Sequence, residues 1–412
     1  MVCILQRLSP PVVAMEIRAS LNLSADQMSL IFALTFFAYG LIQPLAGYSV
    51  DRFGPRRCLL ISTLLMAISS IWFSYAESLL SACLSRSLLG LAGGLSLLPG
   101  LRLVMTWLPP RFFGLAASSL IAFTALATFL AGRPLAGITE TFGWRFPFFW
   151  LGLGTLMLLL LIWFLVADRP ESQGAPEASL QEPPVSLWET TKTIVSNPLF
   201  WMLGGIYIGT DLLYLTFSSL WAGPYLIEVQ GLNAVTVGAI LSATAVGFLV
   251  GPPLIALWGD FWGSYPKVLF CAILFNFAFL AFLIWGPVRL PLPALFVLCF
   301  LAPLGGWTAG LYMAMSREIF PEKMSTSAMG FLNLMPIMGG AVFQQLMGNL
   351  LTYAERSRPE LSLHGRYAFA YTPALVWVGI CIVLTLLVIR KAGAKQKSGQ
   401  ENGESQAKEQ KR

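Results

Sequence analysis

Charged residues are scarce in this chain, and so are the residue types that build most catalytic centres. Asp, Glu, Lys and Arg make up 11% of the 412 residues, against roughly 25% in an ordinary soluble protein. There is a single histidine, His364, and none of the six cysteines forms a Cys-x-x-Cys pair. A histidine-based metal or acid–base site is therefore not expected, and the cysteines are interpreted as reduced packing residues.

Two further absences narrow the class of protein. The sequence has no phosphate-binding P-loop, which argues against a nucleotide-driven pump. It also has no convergent nucleophile or paired carboxylates of the kind that an integral-membrane enzyme would need. We therefore predict no catalytic residues, no cofactor and no metal.

Long apolar runs are what the sequence does contain, since 56% of its residues are hydrophobic. Runs of about 20 apolar residues can cross a hydrocarbon core as helices. Eleven complete spans are predicted on this basis. They are residues 28–50, 57–76, 79–104, 113–137, 147–167, 199–222, 234–258, 267–287, 291–315, 326–352 and 371–390. A partial run at residues 1–19 precedes them.

A proline-rich, acidic stretch at residues 168–196 interrupts the series and is predicted to be a cytoplasmic linker with a short surface helix at 187–195. It divides the chain into a first half, residues 1–167, and a second half, residues 197–390, with six segments each. Residues 391–412 form a polar tail that we predict to be cytoplasmic and disordered. The expected fold class is an all-α integral membrane protein made of two six-helix bundles.

The loop between the second and third segments, residues 47–57, carries a charged, glycine-containing turn that must lie at the lipid headgroups. A weaker Asp-x-x-Gly counterpart follows the eighth segment. This pattern resembles the cytoplasmic signature of major facilitator superfamily transporters. The resemblance implies a pseudo-twofold arrangement of the two bundles and assigns a conformational role to these residues: Gly47, Asp51, Arg52, Gly54, Arg56, Arg57, Asp260 and Gly263.

The resemblance extends over the chain, and Arg86 with Gly90 in the fourth segment matches an Arg-x-x-x-Gly pattern of the superfamily. Other stretches are similar to bacterial members that import organic solutes, namely anion:cation symporters and phagosomal transporter-like proteins. The implied function is secondary active transport of a small organic solute, an organic anion or an amino acid-like metabolite, by proton-coupled alternating access. Export of drugs or siderophores, and sensing without transport, are the alternatives.

Ionisable side chains inside a membrane are costly and are therefore functional candidates. Arg7, followed by Ser9 and Pro10, aligns with an arginine of the family and could hold a carboxylate or phosphate bidentately; structural pairing is the other interpretation. Arg133 could be a second anion contact or reach the outer headgroups. Arg86 is implied in proton coupling or in holding helices together.

Asp211 is the one acidic residue deep in a predicted span, about twelve residues into the seventh segment. A carboxylate at that depth is suited to binding and releasing a proton, although pairing with an arginine or with tyrosines would also account for it. Tyr207, Asp211, Tyr214 and Ser218 follow the i, i+4, i+7, i+11 spacing of one α-helical face. Further substrate-binding candidates are polar residues of other spans, namely Tyr39, Gln43 and Asn333.

The expected partners are a small-molecule substrate, the lipid bilayer and a coupling proton. The net charge of +6 lies largely in the tail and loops, which favours anionic lipid over nucleic acid. Lys and Arg placement favours the 47–57 loop and the C-terminus on the cytoplasmic side of the inner membrane. We expect a monomer. Because residues 1–15 are too short to span, we also expect the first helix to be truncated, either by a start site assigned too late or in an impaired copy.

Overall fold

The structure is a computed structural model that describes residues 2–107, 123–167, 187–262, 264–306, 308, 311–312, 315 and 322–409. Within these ranges the chain forms helices and turns, without a strand. Helices suit a lipid-embedded chain because each satisfies its own backbone hydrogen bonds. The helices of the first half are α1 Val2–Leu8, α2 Pro10–Ser20, α3 Ala25–Phe53, α4 Pro55–Ser74, α5 Leu79–Gly94, α6 Leu97–Trp107, α7 (residues 123–130), α8 Arg133–Phe142 and α9 Arg145–Leu165.

The predicted linker contains the short helix that the sequence predicted, α10 Leu187–Val195. A π-helical segment, Tyr214–Trp221, follows the helix Pro198–Leu213 and leads without a break into the helix Ala222–Glu228. The helices of the second half are α11 Pro198–Leu213, α12 Ala222–Glu228, α13 Ala234–Trp262, α14 Tyr265–Trp285, α15 Leu292–Leu301, α16 Glu322–Ser357 and α17 Leu363–Glu409, the last of which continues into the tail.

Eight helices of the described residues are long and apolar enough to cross a membrane. Some predicted spans are interrupted in the structure. The first segment breaks at Ser9, and a turn at residues 131–132 separates α7 from α8. Pro10 and Pro134 lie in the first turns of the helices that follow, where a proline is tolerated because its missing N–H would have no partner there.

The outer surface of the bundle is apolar. Along α9, large side chains point away from the protein, with Phe164 and Leu165 each 77% exposed. An apolar face of this extent is unstable in water and matches the hydrocarbon of a bilayer. The fold class predicted from the sequence, an all-α membrane protein with two helical bundles, is therefore confirmed.

Three helix pairs with extensive contacts join the two halves in the described residues: α2 with α12, α3 with α16, and α8 with α13. At each contact a glycine allows the backbones to approach closely. A Cβ on Gly223 would lie 1.5 Å from the carbonyl oxygen of Pro11, and one on Gly132 would lie 2.2 Å from Oγ of Ser242. These contacts lie toward the end of the bundle opposite Gly54, which we call the sealed end.

Ion pairs reinforce the sealed end. Arg18 at the end of α2 lies 3.2 Å from carboxylate oxygens of both Glu228 and Glu355, which belong to the other half. Tyr367 donates its hydroxyl to the second oxygen of Glu228 at 2.6 Å. The backbone N–H of Asp26 donates to Thr352 Oγ1 at 3.0 Å, again between halves.

The 47–57 turn is sharp because Gly54, at φ +82°, joins α3 directly to α4, a backbone conformation that favours glycine. Arg56 donates to the backbone carbonyl of Trp163 and lies 5.7 Å from the centre of its ring. Arg52 and Arg57 are exposed. Gly47 and the backbone of Asp51 are helical; the side chains of Asp51 and Asp260, and all of Gly263, lie outside the described residues.

Two sequence expectations differ from the structure at helix ends. The backbone of Asp260 is in α13, which continues to Trp262, so the predicted loop starts later. The last helix, α17, runs on to Glu409, whereas disorder was predicted from residue 391. The polar composition was interpreted as disorder, but Ala, Lys, Gln and Glu are also strong helix formers and can prolong a helix that the preceding span has nucleated.

Candidate functional site

Arg7 is at the centre of a polar group between the two halves. Its guanidinium lies 5.6 Å from the ring centre of Phe36 and 5.2 Å from that of Tyr39, both on α3. It also interacts with the hydroxyl of Tyr214, in the second half. Gln43, one turn beyond Tyr39, interacts with the Tyr39 hydroxyl. Four predicted substrate-binding residues are thus brought together, and we call them the Arg7 group: Arg7, Tyr39, Gln43 and Tyr214.

Apolar residues of both halves surround the Arg7 group. The ring of Tyr214 meets that of Phe248 edge-on, with centroids 4.6 Å apart, an arrangement that aromatic pairs prefer. The buried members of this shell include Leu5, Leu8, Ala33, Phe36, Ala127, Ala131, Leu215, Phe248, Ile337 and Ala341. Any motion that separates the halves therefore opens the Arg7 group.

The guanidinium of Arg7 retains capacity to bind an anion. No carboxylate of the described residues forms an ion pair with it, and its Nε is buried without a hydrogen-bond partner. The planar guanidinium presents parallel N–H donors that match a carboxylate, phosphate or sulfonate bidentately. The two rings beside it contribute cation–π attraction. The arrangement can therefore select a negatively charged group.

A small cavity adjoins Tyr214 and has a volume of about 20 Å³. This is room for about one water molecule, so an organic solute of several carbon atoms does not fit while the halves are closed. Ser218 lines the cavity, and its buried hydroxyl has no hydrogen-bond partner among the described residues. The remaining lining residues are Leu8, Pro11, Val12, Thr128, Ala131, Gly132, Leu241, Thr244 and Phe248.

Asp211 belongs to a neighbouring group in the second half. The ring of Tyr207, one turn earlier on α11, stacks on that of Tyr312 with centroids 4.0 Å apart. The Tyr207 hydroxyl donates to Oδ1 of Asn333 at 3.3 Å. Gly306 lies beside the Asp211 carboxylate, since a Cβ added to Gly306 would be 3.5 Å from Asp211 Oδ1. Tyr207 thus contacts Asn333 and lies within electrostatic reach of Asp211.

Tyr312 was missed by the sequence reasoning. It is fully buried, stacks on Tyr207 and lies within electrostatic reach of Asp211. A polar aromatic residue inside the predicted span 291–315 was the available signal. What the sequence could not show is the turn at residues 302–305, after α15, which determines the side chains that face Asp211.

The α-helical spacing predicted for the seventh segment holds only to Leu213, because the π-helical segment begins at Tyr214. At this junction the N–H of Tyr214 bonds to the carbonyl of Asp211. The carbonyl of Thr210 accepts instead from Nδ2 of Asn276, at 2.6 Å. Segments of this kind are frequent at functional sites. Tyr214 nevertheless stays within electrostatic reach of Asp211.

The two remaining arginine candidates lie elsewhere. The side chain of Arg133 is exposed at the start of α8, and its backbone N–H donates to Ser242 Oγ at 3.0 Å. Arg86 is buried in the first half, where its Nη2 donates to the carbonyl of Gln6 at 2.9 Å. The described contacts of Arg86 are with the first half and not with Asp211.

Comparison with known proteins gives matches over the whole chain. The family model described as Major Facilitator Superfamily matches residues 1–242 and again residues 212–411. A hexuronate transporter of Bacillus subtilis is 23% identical over 94% of this chain and 90% of that protein. The probable sulfoacetate transporter SauU of Cupriavidus necator is 28% identical over 43% of this chain, an alignment that spans 42% of SauU.

A solved structure shares the fold. It is a bacterial homologue of the human lysosomal transporter Spinster in an inward-facing, unoccupied conformation. The two chains are 15% identical, each is covered over 94% of its length, and the TM-score is 0.75. At this identity the likeness concerns the fold alone.

Proposed function

Because the chain belongs to the Major Facilitator Superfamily, we propose that it is a secondary active transporter that moves a small organic anion across the membrane by alternating access. The observation that carries this proposal is Arg7: a guanidinium with a free donor, located between the halves and contacted by both. An anion held there would be exposed to one side or the other according to which end of the bundle is open.

The anionic character of the substrate is supported by two relatives as well. One is named for hexuronate and one for sulfoacetate, and both of these are organic acids. In the present chain the carboxylate or sulfonate would bind Arg7, with the hydroxyls of Tyr39 and Tyr214 and the amide of Gln43 beside it. We further propose that Asn333 and Tyr207 contact the polar remainder of the substrate.

We propose proton coupling through Asp211. The carboxylate is within electrostatic reach of Tyr214, which also interacts with Arg7. Protonation of Asp211 would therefore change the electrostatic environment in which an anion binds at Arg7. We also propose that the protein is a monomer in the bacterial inner membrane with its C-terminus in the cytoplasm. The two bundles are proposed to comprise residues 1–167 and 197–390, joined by the linker 168–196.

Uptake by purified protein in liposomes with an imposed pH gradient tests the substrate proposal, with labelled glucuronate and sulfoacetate as probes. Arg7→Ala is expected to abolish uptake, and Arg7→Lys to restore little of it, because a point charge cannot replace a bidentate donor. Arg356→Ala, which removes an exposed arginine at the end of α16, is the matched control. Near-normal uptake by Arg7→Ala would remove Arg7 from the site.

The coupling proposal has its own test. Asp211→Asn should still exchange labelled substrate across the membrane but should not accumulate it under a pH gradient. Normal accumulation by this variant would place the coupling elsewhere. Binding of a probe without flux in the native protein would indicate a sensor, and proton-driven efflux of cationic drugs that depends on Asp211 would indicate an exporter.

A further inference from the structure

The backbone of the first segment has a defect immediately beside Arg7. In a continuous helix the carbonyl of Gln6 would accept from the N–H of residue 10, but Pro10 has none. An orphaned carbonyl in an apolar interior is costly unless another donor reaches it. Two side chains do so here: Ser9 Oγ and Arg86 Nη2 both donate to the Gln6 carbonyl oxygen at 2.9 Å.

Arg86 is buried at this place, with one hydrogen bond from Nη2 and with its Nε unpartnered among the described residues. The residue is 2% exposed, and its guanidinium lies 5.2, 5.0 and 5.9 Å from the ring centres of Phe32, Phe73 and Phe148. No carboxylate of the described residues forms an ion pair with it. The three rings and the Gln6 carbonyl are thus what compensates its charge in this interior.

Gln6 and Arg7 are consecutive, so the carbonyl that Arg86 holds belongs to the peptide bond from which Arg7 extends. Arg7 points from this bond toward Tyr39 and Tyr214. We infer that Arg86 is a positioning residue for the anion site: with Ser9 it supplies the donor that Pro10 lacks, and it so holds the peptide group between Gln6 and Arg7 in the orientation that aims Arg7 between the halves.

This inference rests on the proposed function for its transport readout, and it differs from a role of Arg86 in proton coupling. The chain itself offers a rescue experiment, since Pro10→Ala would restore a backbone donor to the Gln6 carbonyl. Arg86→Leu removes one of the two side-chain donors together with the buried charge and leaves Ser9 Oγ in place. The double variant again has two donors, because the backbone N–H of residue 10 joins Ser9 Oγ.

The expected result is that Arg86→Leu weakens substrate binding and raises the KM of uptake by about tenfold, the factor that corresponds to 1.36 kcal/mol. Addition of Pro10→Ala should recover most of that loss. A proton-coupling role predicts the opposite: binding stays normal, accumulation is lost, and Pro10→Ala rescues nothing. That outcome would overturn the inference.

A substrate-independent readout separates this inference from the proposed function. Amide hydrogen exchange over residues 5–12, in the full-length protein, should be faster in Arg86→Leu and return toward the native rate in the double variant. Arg145→Leu is the matched control, because Arg145 also donates to a carbonyl of the first half, that of Ala76 at 2.8 Å, while its described partners, Ala76 and Trp144, lie outside α1. Unchanged exchange in Arg86→Leu, or equal acceleration in the control, would refute the positioning role even if no tested anion is transported.

Discussion

Arg18 is predicted to hold the sealed end closed, and Arg18→Gln tests this directly. Its two ion pairs, with Glu228 and Glu355, join different halves and cannot survive their separation. The side chains are 22%, 20% and 51% exposed, so each pair lies in the partly solvated class that contributes about 0.2–1 kcal/mol. Loss of both should favour the separated state by about 1 kcal/mol, a shift of roughly fivefold in the equilibrium between the two states.

Spin labels can measure this shift. Glu140 on α8 and Glu360 after α16 are exposed and belong to opposite halves, so a nitroxide pair at these positions reports the opening of the sealed end. In Arg18→Gln the population of long distances, measured by double electron–electron resonance, should grow about fivefold from its native level. High salt should produce part of the same change in the native protein, because partly exposed pairs are screened.

The matched control is Arg366→Gln. Arg366 also lies at this end, but its guanidinium donates to the carbonyls of Leu361 and Pro359, within its own half. Its substitution should leave the distance distribution unchanged. An unchanged distribution in Arg18→Gln, or an equal change in the control, would refute the reasoning that contacts between halves set the equilibrium.

Glycine contacts and the π-helical junction give further predictions. Gly223→Ala should enrich the same long-distance population, because the new Cβ would lie 1.5 Å from the carbonyl oxygen of Pro11 in the other half. Gly90→Ala creates a similar clash within one half, 2.1 Å from the carbonyl oxygen of Thr35, and should instead lower the thermal unfolding midpoint by the equivalent of about 1–3 kcal/mol. Asn276→Leu, which removes the donor to two buried carbonyls, should destabilise by about 1–3 kcal/mol per carbonyl; an unchanged midpoint in either variant would contradict its prediction.

Much of the fold could be predicted from the sequence because hydrophobic runs are a local signal. The short helix at 187–195 was predicted with the bounds that the structure has, and α9 and α14 begin and end within two residues of their predicted spans. Interruptions were harder. Pro10 was visible in the sequence, but whether a proline ends, bends or starts a helix depends on the donors that its neighbours supply.

The sequence indicated which residues are candidates for the site more readily than which of them contact one another. Ionisable and polar residues inside predicted spans are candidates because of their cost inside a membrane, and Arg7, Asp211 and Tyr207 were predicted for that reason. The allocation of arginines was not visible: Arg7 faces the other half while Arg86 faces a backbone carbonyl, a difference set by tertiary packing. The pairing of Arg18 with Glu228 joins residues 210 positions apart and left no sequence signal.

The π-helical segment Tyr214–Trp221 has a consequence for insertions and deletions. Its hydrogen bonds reach back five residues, as that from Ala222 to Phe217 does, so each turn uses one residue more than an α-helical turn. Deletion of one residue from this segment would convert one of its turns to α-helical geometry. Everything before Leu213, including Asp211, would keep its register, while Tyr225 and the approach of Gly223 to Pro11 would rotate out of place. In the seventh segment, therefore, a deletion of one residue would leave Asp211 in place and disrupt the contact of Gly223 with Pro11 at the sealed end.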